Sequence, residues 1–183
     1  VIHVGAGAMS RDHYTGRSGE LAVIAELLHQ GCNAAMPLVD VGEDIFAFKD
    51  DREDVARIQV KTALNPMVYK KGDGFAALFS IPLKQLDRDD RPPLFYVLAI
   101  RHLDRWSDFI VVGRETLRNY YNGEKEFGIK DKNGDNLNLY IRFRAESTFC
   151  KQVDLHPYRN RWDCLPPLKP LADPGAPAGP LPD

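Results

Sequence analysis

Two short runs about a third of the way along this chain can pair as a hairpin, and little else suits them. Asp44-Ile45-Phe46-Ala47-Phe48 and Val55 to Thr62 are separated by the charged stretch Asp50-Asp51-Arg52-Glu53-Asp54. That stretch reads as a solvated turn. Side chains of a strand alternate between faces with a period of two. In Arg57-Ile58-Gln59-Val60-Lys61-Thr62 this sends Ile58 and Val60 to one side, where a core can take them. Gln59 and Lys61 leave together on the other side.

The flanking sequence supplies the rest of a sheet. Ser18 or Thr15 is placed to cap a helix from about Gly19 to Gln30, with Leu21, Ile24, Ala25 and Leu28 as its apolar stripe and Gly31 as its stop. Strands are expected over Cys32–Leu38, Phe75–Ile81 and Asp108–Val112. Leu94–Ile100 is apolar throughout, as in a central strand covered on both faces. Leu83–Leu86 reads as a helical turn and Arg114–Tyr121 as a short helix. Asn133-Gly134, between Phe127–Lys130 and Leu137–Phe143, marks a second hairpin. The fold class is α/β (α+β), with a central mixed β-sheet flanked by helices. We expect an irregular extension over 1–16, one domain over 17–164, and a Pro-, Ala- and Gly-rich tail over 165–183.

Composition narrows the function. At 183 residues and 44% apolar, the chain can bury one core. No apolar run is long enough to span a bilayer. Val1–Ala8, ahead of Met9, lack the basic n-region of a signal peptide. Cys32, Cys150 and Cys164 are odd in number and widely spaced, and no CxxC or HExxH spacing occurs. This argues against a zinc site or a disulfide framework and for a reducing, cytoplasmic setting without a membrane. Net charge is −2, unlike a strong non-specific nucleic-acid binder, but it is unevenly spread. Residues 1–93 carry −3, residues 94–162 carry +3 and the tail carries −2.

The polar residues of the first hairpin suggest chemistry. Mg²⁺ (or Mn²⁺) takes oxygen ligands, one or two of them carboxylates, with water and phosphate completing the shell. Asp44 offers a carboxylate, Gln59 an amide oxygen, and Val60 its backbone carbonyl. Lys61 is a compact cation able to position water or stabilise charge on a phosphate. Glu20, on the helix at the edge of its apolar face, is a further acid. Each residue also fits a plainer role. Asp44 suits a turn cap, Gln59 and Lys61 an edge strand's wet face, and Glu20 the favourable first turn of a helix. Asp40 and Glu43 compete with Asp44, which we prefer because it directly precedes the apolar strand. Val4-Gly5-Ala6-Gly7-Ala8-Met9-Ser10 has Ser10 where a dinucleotide-binding turn has its third glycine or alanine, and Arg11–Arg17 lack the helical apolar stripe that should follow.

Gly19-Glu20, Asp40-Val41-Gly42-Glu43-Asp44-Ile45 and Gln59-Val60-Lys61-Thr62-Ala63 resemble the motif of the PD-(D/E)XK nuclease superfamily, the fold of many restriction endonucleases and Holliday-junction resolvases. The steps of 24 residues from Glu20 to Asp44 and 15 from Asp44 to Gln59 suit that family's helix, strand and hairpin. The resemblance covers roughly residues 16–112, and more loosely extends to Tyr158–Asp163. It implies a restriction-endonuclease-like fold and a metal-dependent endonuclease hydrolysing DNA. Asp44 and Gln59, with the Val60 carbonyl, would be metal ligands, Lys61 the catalytic lysine and Glu20 the helix acid. The chain departs from the pattern at Gln59, where an acid is usual, and this weakens the expected metal site. Lys70, Lys71 and Arg101 are candidate phosphate contacts. A homodimer would let a single-site nuclease cut both strands. The competing readings are a degenerate nuclease fold that binds nucleic acid without cutting it, and a protein-interaction module.

Overall fold

The computed structural model describes residues 11–39, 42–51, 53–69, 73–88 and 92–168. In chain order they form α1 (Arg11–His29), β1 (Asn33–Ala35), β2 (Ile45–Phe48), β3 (Val55–Leu64), β4 (Met67–Val68), β5 (Phe75–Pro82) and α2 (Leu83–Leu86). There follow β6 (Leu94–His102), β7 (Arg105–Gly113), α3 (Arg114–Asn122), β8 (Ile129–Lys130), β9 (Asn136–Arg144), β10 (Ser147–Cys150) and β11 (Val153–Asp154). Short 3₁₀ turns close the described chain at His156–Tyr158, Trp162–Cys164 and Pro166–Leu168.

The strands make two sheets. The first has the order β1-β2-β3-β6-β7. It is mixed, because β3 and β6 run parallel while its other neighbours are antiparallel. The second sheet is antiparallel in the order β11-β10-β9-β5-β4, with β8 also on β9.

Alternation along β6 explains the layers. Val97 and Ala99 join Ile58, Val60, Phe109 and Val111 in a core under α1. Tyr96, Leu98 and Ile100 join Phe79, Ile81, Leu139 and Ile141 in the core between the two sheets. The strand is thus covered on both faces, as its unbroken apolar run predicts. The Asn133-Gly134 turn joins β8 to β9 as a hairpin, with Gly134 at φ +76°, a conformation that suits glycine. No helix among the described residues is long and apolar enough to cross a membrane.

Several elements differ from the sequence reading. The first helix starts at Arg11, inside the stretch expected to be irregular. The Ser18 hydroxyl donates back to the Thr15 carbonyl (2.8 Å) instead of capping a new start, so the helix runs on through both. Its buried face is also rotated from the expected stripe. Ala22, Val23 and Leu27 are buried, whereas Leu21 and Leu28 are each 55% exposed. The cause is Gly19, whose missing side chain lets α1 settle onto Thr62 of β3 and so sets the helix phase. The strand expected over Cys32–Leu38 shrinks to β1. β4, β10 and β11 were not anticipated, and a second sheet replaces part of the expected helical cover. At the other end, Leu165 and Pro167 are buried, so the packed chain reaches beyond 164. Trp106, Tyr120 and Tyr121 are partly buried and pack against the two cores.

Candidate functional site

The site grows from the register of the first hairpin. Ile45 pairs with Ile58, and the Asp44 N–H donates to the Ile58 carbonyl (2.9 Å). One step further, Asp44 stands opposite Gln59, on the same face of the sheet. The Gln59 amide donates through Nε2 to Asp44 Oδ2 (2.5 Å), and the Val60 N–H donates to the same oxygen (2.6 Å). In an extended strand the N–H and C=O of one residue leave on the same edge. The Val60 carbonyl therefore also faces the Asp44 side, where β2 has ended. Lys61 follows Gln59 by two residues and shares its face.

Asp44, Gln59 and Lys61 together line a cleft of about 390 Å³ with Gly42, Pro82, Lys84, Gln85 and Arg88. The two elements that close it are the end of β5 and α2, brought down onto β3 by the second sheet. Gln85 was not singled out from the sequence. Its Nε2 donates to Gln59 Oε1 (2.6 Å) and to the Gly42 carbonyl (2.8 Å), and its Oε1 accepts from the Tyr96 hydroxyl (3.1 Å). Tyr96 is fully buried. The result is a directional run of donors, Tyr96 to Gln85 to Gln59 to Asp44, ending on a carboxylate. Each member polarises the next. Four separate segments are thereby locked in one orientation.

Glu43, which competed with Asp44 in the sequence, is occupied elsewhere. It is buried and forms an ion pair with buried Arg57 (2.8 Å). Asp40 lies outside the described residues. Glu20 lies on α1, which packs on the opposite face of β3, under Ile58 and Val60. Its carboxylate accepts from Arg17 (2.7 Å) and lines a separate cleft of about 280 Å³ with Pro37, Leu38 and Glu43. Asp44 lines both clefts, so the two acids are neighbours across it. Arg101 sits at the far end of β6, paired with Asp104 in its own turn (3.4 Å), and is not part of either cleft. Lys70 and Lys71 lie outside the described residues. Cys32, Cys150 and Cys164 are not joined in disulfides.

The donor set can be compared with what a hard divalent cation requires. The possible ligand atoms of Asp44, Gln59 and Val60 are oxygens, which suit Mg²⁺ or Mn²⁺, although the Gln59 amide turns its Nε2 to Asp44 and its oxygen to Gln85. Among the described residues no group of three His, Cys, Asp or Glu could hold a metal. One carboxylate with neutral oxygens would make at most half of such an ion's shell. Gln59 Oε1 already accepts from Gln85, but an amide oxygen has two lone pairs and can serve both.

The arrangement of sheets and helices has a known counterpart. The chain is similar in structure to a bacterial homing endonuclease, I-Ssp6803I, with a TM-score of 0.52 over 85% of this chain and 91% of that one. The fold is nuclease-like. Sequence identity between the two is 16%, so the likeness speaks for the fold alone. No protein-family model and no curated protein matches the chain.

Proposed function

We propose that this chain is a metal-dependent endonuclease of PD-(D/E)XK type, with Gln59 in the usual acid position, that hydrolyses DNA phosphodiester bonds. One observation carries the reading. Asp44, Gln59 and Lys61, far apart or alternate in sequence, line a single cleft in a nuclease-like fold.

In this reading Asp44, Gln59 Oε1 and the Val60 carbonyl hold one Mg²⁺ or Mn²⁺. Bound there, the ion supplies Lewis-acid polarisation of the phosphate and acidifies a water. The protein's own contribution is positional and electrostatic. The Lys61 ammonium orients the attacking water and offsets the negative charge that builds on the phosphate oxygens. Gln85 holds the Gln59 amide with its oxygen fixed. Glu20 supports Asp44 from the far side of the sheet edge. Lys84 and Arg88, at the mouth of the cleft, attract the DNA backbone.

The test is cleavage of plasmid and branched DNA by purified protein with Mg²⁺ or Mn²⁺. Cutting should require the ion and vanish in Lys61→Ala and Asp44→Ala. Cutting that survives both substitutions excludes this site.

A second reading has one observation in its favour. Gln59 carries no charge and its oxygen is already bonded to Gln85, which is what a site that has lost its ion would look like. In that case the chain binds nucleic acid without cutting it. Calorimetry separates the two: no Mg²⁺ or Mn²⁺ uptake at millimolar concentration, with DNA binding intact, selects the second.

A further inference from the structure

A larger cavity opens beside the candidate cleft, where β6 begins and β7 ends. It encloses about 820 Å³ and includes Arg88, Arg114, Glu115 and Arg118 among its walls. Arg88 also lines the Asp44–Lys61 cleft, and its guanidinium stands 3.7 Å from where a side chain on Gly42 would begin. The two cavities therefore share a wall, and the shared residue is a cation.

We propose that this cavity is a second phosphate-binding subsite for the DNA strand being cut, with Arg118 and Arg114 holding a backbone phosphate beyond the scissile one and Arg88 bridging the two. The proposal rests on the DNA-cleaving reading of the Asp44–Lys61 cleft. Among the described residues that line it, the charged ones are three arginines and one glutamate, and concave low-dielectric walls concentrate the field of such a set. Guanidinium groups match phosphate oxygens two at a time. Arg114 is only 6% exposed, so its head is held in place and little freedom is lost when an anion docks. A strand laid with one phosphate against Lys61 has its continuing backbone led past Arg88 into this cavity. The cation-rich stretch of the sequence, residues 94–162, contributes Arg114 and Arg118. Lys70, Lys71 and Arg101 are not needed for this path.

The experiment uses the full chain with a chelator present, so that nothing is cut. Binding of a short fluorescent DNA duplex is measured over a salt series for the wild type, R118Q and R88Q/R118Q. Arg118 is half-buried and Arg88 exposed, so glutamine at either should leave the fold intact. Each lost phosphate contact reduces the slope of log affinity against log salt by about one. R118Q should lose about one unit and the double variant about two, equally on unrelated DNA sequences. With metal restored, R118Q should hydrolyse a small chromogenic phosphodiester at the wild-type rate, since that substrate reaches only the Asp44–Lys61 cleft. A wild-type salt slope in R118Q overturns the subsite while leaving the nuclease reading intact. So does a loss of small-substrate hydrolysis in R118Q, which would mean a general structural effect. No retention of wild-type protein by DNA even at low salt removes both.

Discussion

Asp44 and Gln59 face each other at the mouth of the β2–β3 hairpin, joined by a 2.5 Å hydrogen bond in which the amide donates and the carboxylate accepts. The amide thus does what a cation would do for Asp44, at least in part. This makes the Gln59 position a switch in charge. Glutamate there would set two carboxylates side by side, and like charges at such range disfavour joint ionisation. Without metal, Gln59→Glu should lose the donated bond and destabilise the fold by about 1–3 kcal/mol. A divalent ion should reverse the loss and bind more tightly than in the wild type. Thermal melting in chelator and in Mg²⁺ reads both effects, at about 2–4 °C per kcal/mol for a chain of this size. Equal melting temperatures in the two solutions for the variant would remove any metal role from this pair.

Gln85 should act through Gln59. Gln85→Leu takes away the group that holds the Gln59 oxygen and accepts from the buried Tyr96 hydroxyl, at about 1–3 kcal/mol for a buried hydrogen bond left unmade. Freed from Gln85, the Gln59 amide can rotate and its oxygen loses its fixed aim. The expected outcome is a rise in the metal concentration needed for half-maximal cleavage, larger than the change in rate at saturating metal. Gln85→Leu/Tyr96→Phe, which removes the hydroxyl as well, should recover part of the stability but none of the metal affinity. A double variant that regains metal affinity would mean Gln85 serves packing only.

The hairpin was legible because it is local. Alternation in Arg57–Thr62 puts Gln59 and Lys61 on one face, and the apolar run after Asp44 sets the pairing that brings the aspartate opposite. Gln85 was illegible for the opposite reason. It sits on a four-residue helical turn with no pattern of its own. Its place depends on the second sheet carrying β5 over β3, a packing decision made by long-range contacts. The phase of α1 was misread on similar grounds. Leu21 and Leu28 look like core by helical periodicity, but the contact of Gly19 with Thr62 turns them outward. Neither Glu43 nor Asp44 is distinguished by composition. Only the burial of Arg57 shows which acid is already taken.

Alkaline pH gives an independent check on the wall of the larger cavity. Tyr158, which lines it, has its phenol pushed up to about 12, first by burial and then by its hydrogen bond to Tyr120 (2.9 Å). The folded state therefore holds the proton more tightly than the unfolded chain, whose tyrosines titrate near 10. The stability this contributes is complete below about pH 10 and is lost as pH rises towards 12. Tyr69 is also pushed up by burial, so spectroscopic titration should show Tyr158 within a late step, above the exposed tyrosines. In Tyr120→Phe the Tyr158 step should move to lower pH, because burial and the nearby Cys164 still raise it but both contributions of Tyr120, its hydrogen bond and its charge, are gone. A late step unmoved in that variant would assign it to another tyrosine.

The packing of α1 on β3 depends on the absence of one atom. A side-chain carbon at Gly19 would fall on Thr62 Oγ1 and press on its Cβ and Cγ2 as well. Thr62 directly follows Lys61 on β3. In an isolated helix, glycine to alanine is stabilising by about 1 kcal/mol. Here the sign should reverse: Gly19→Ala has to push the helix off the strand, and overpacking of this kind costs about 1–3 kcal/mol. The variant should therefore melt below the wild type. It should also lose cleavage more than binding, because the displaced strand carries Lys61 whereas Arg88 and Arg118 lie on other segments. Gly19→Ala/Thr62→Ala, which trims the residue that is struck, should restore both melting temperature and cleavage to near wild-type values. If the double variant melts no higher than Gly19→Ala alone, the helix phase is set by something other than this contact.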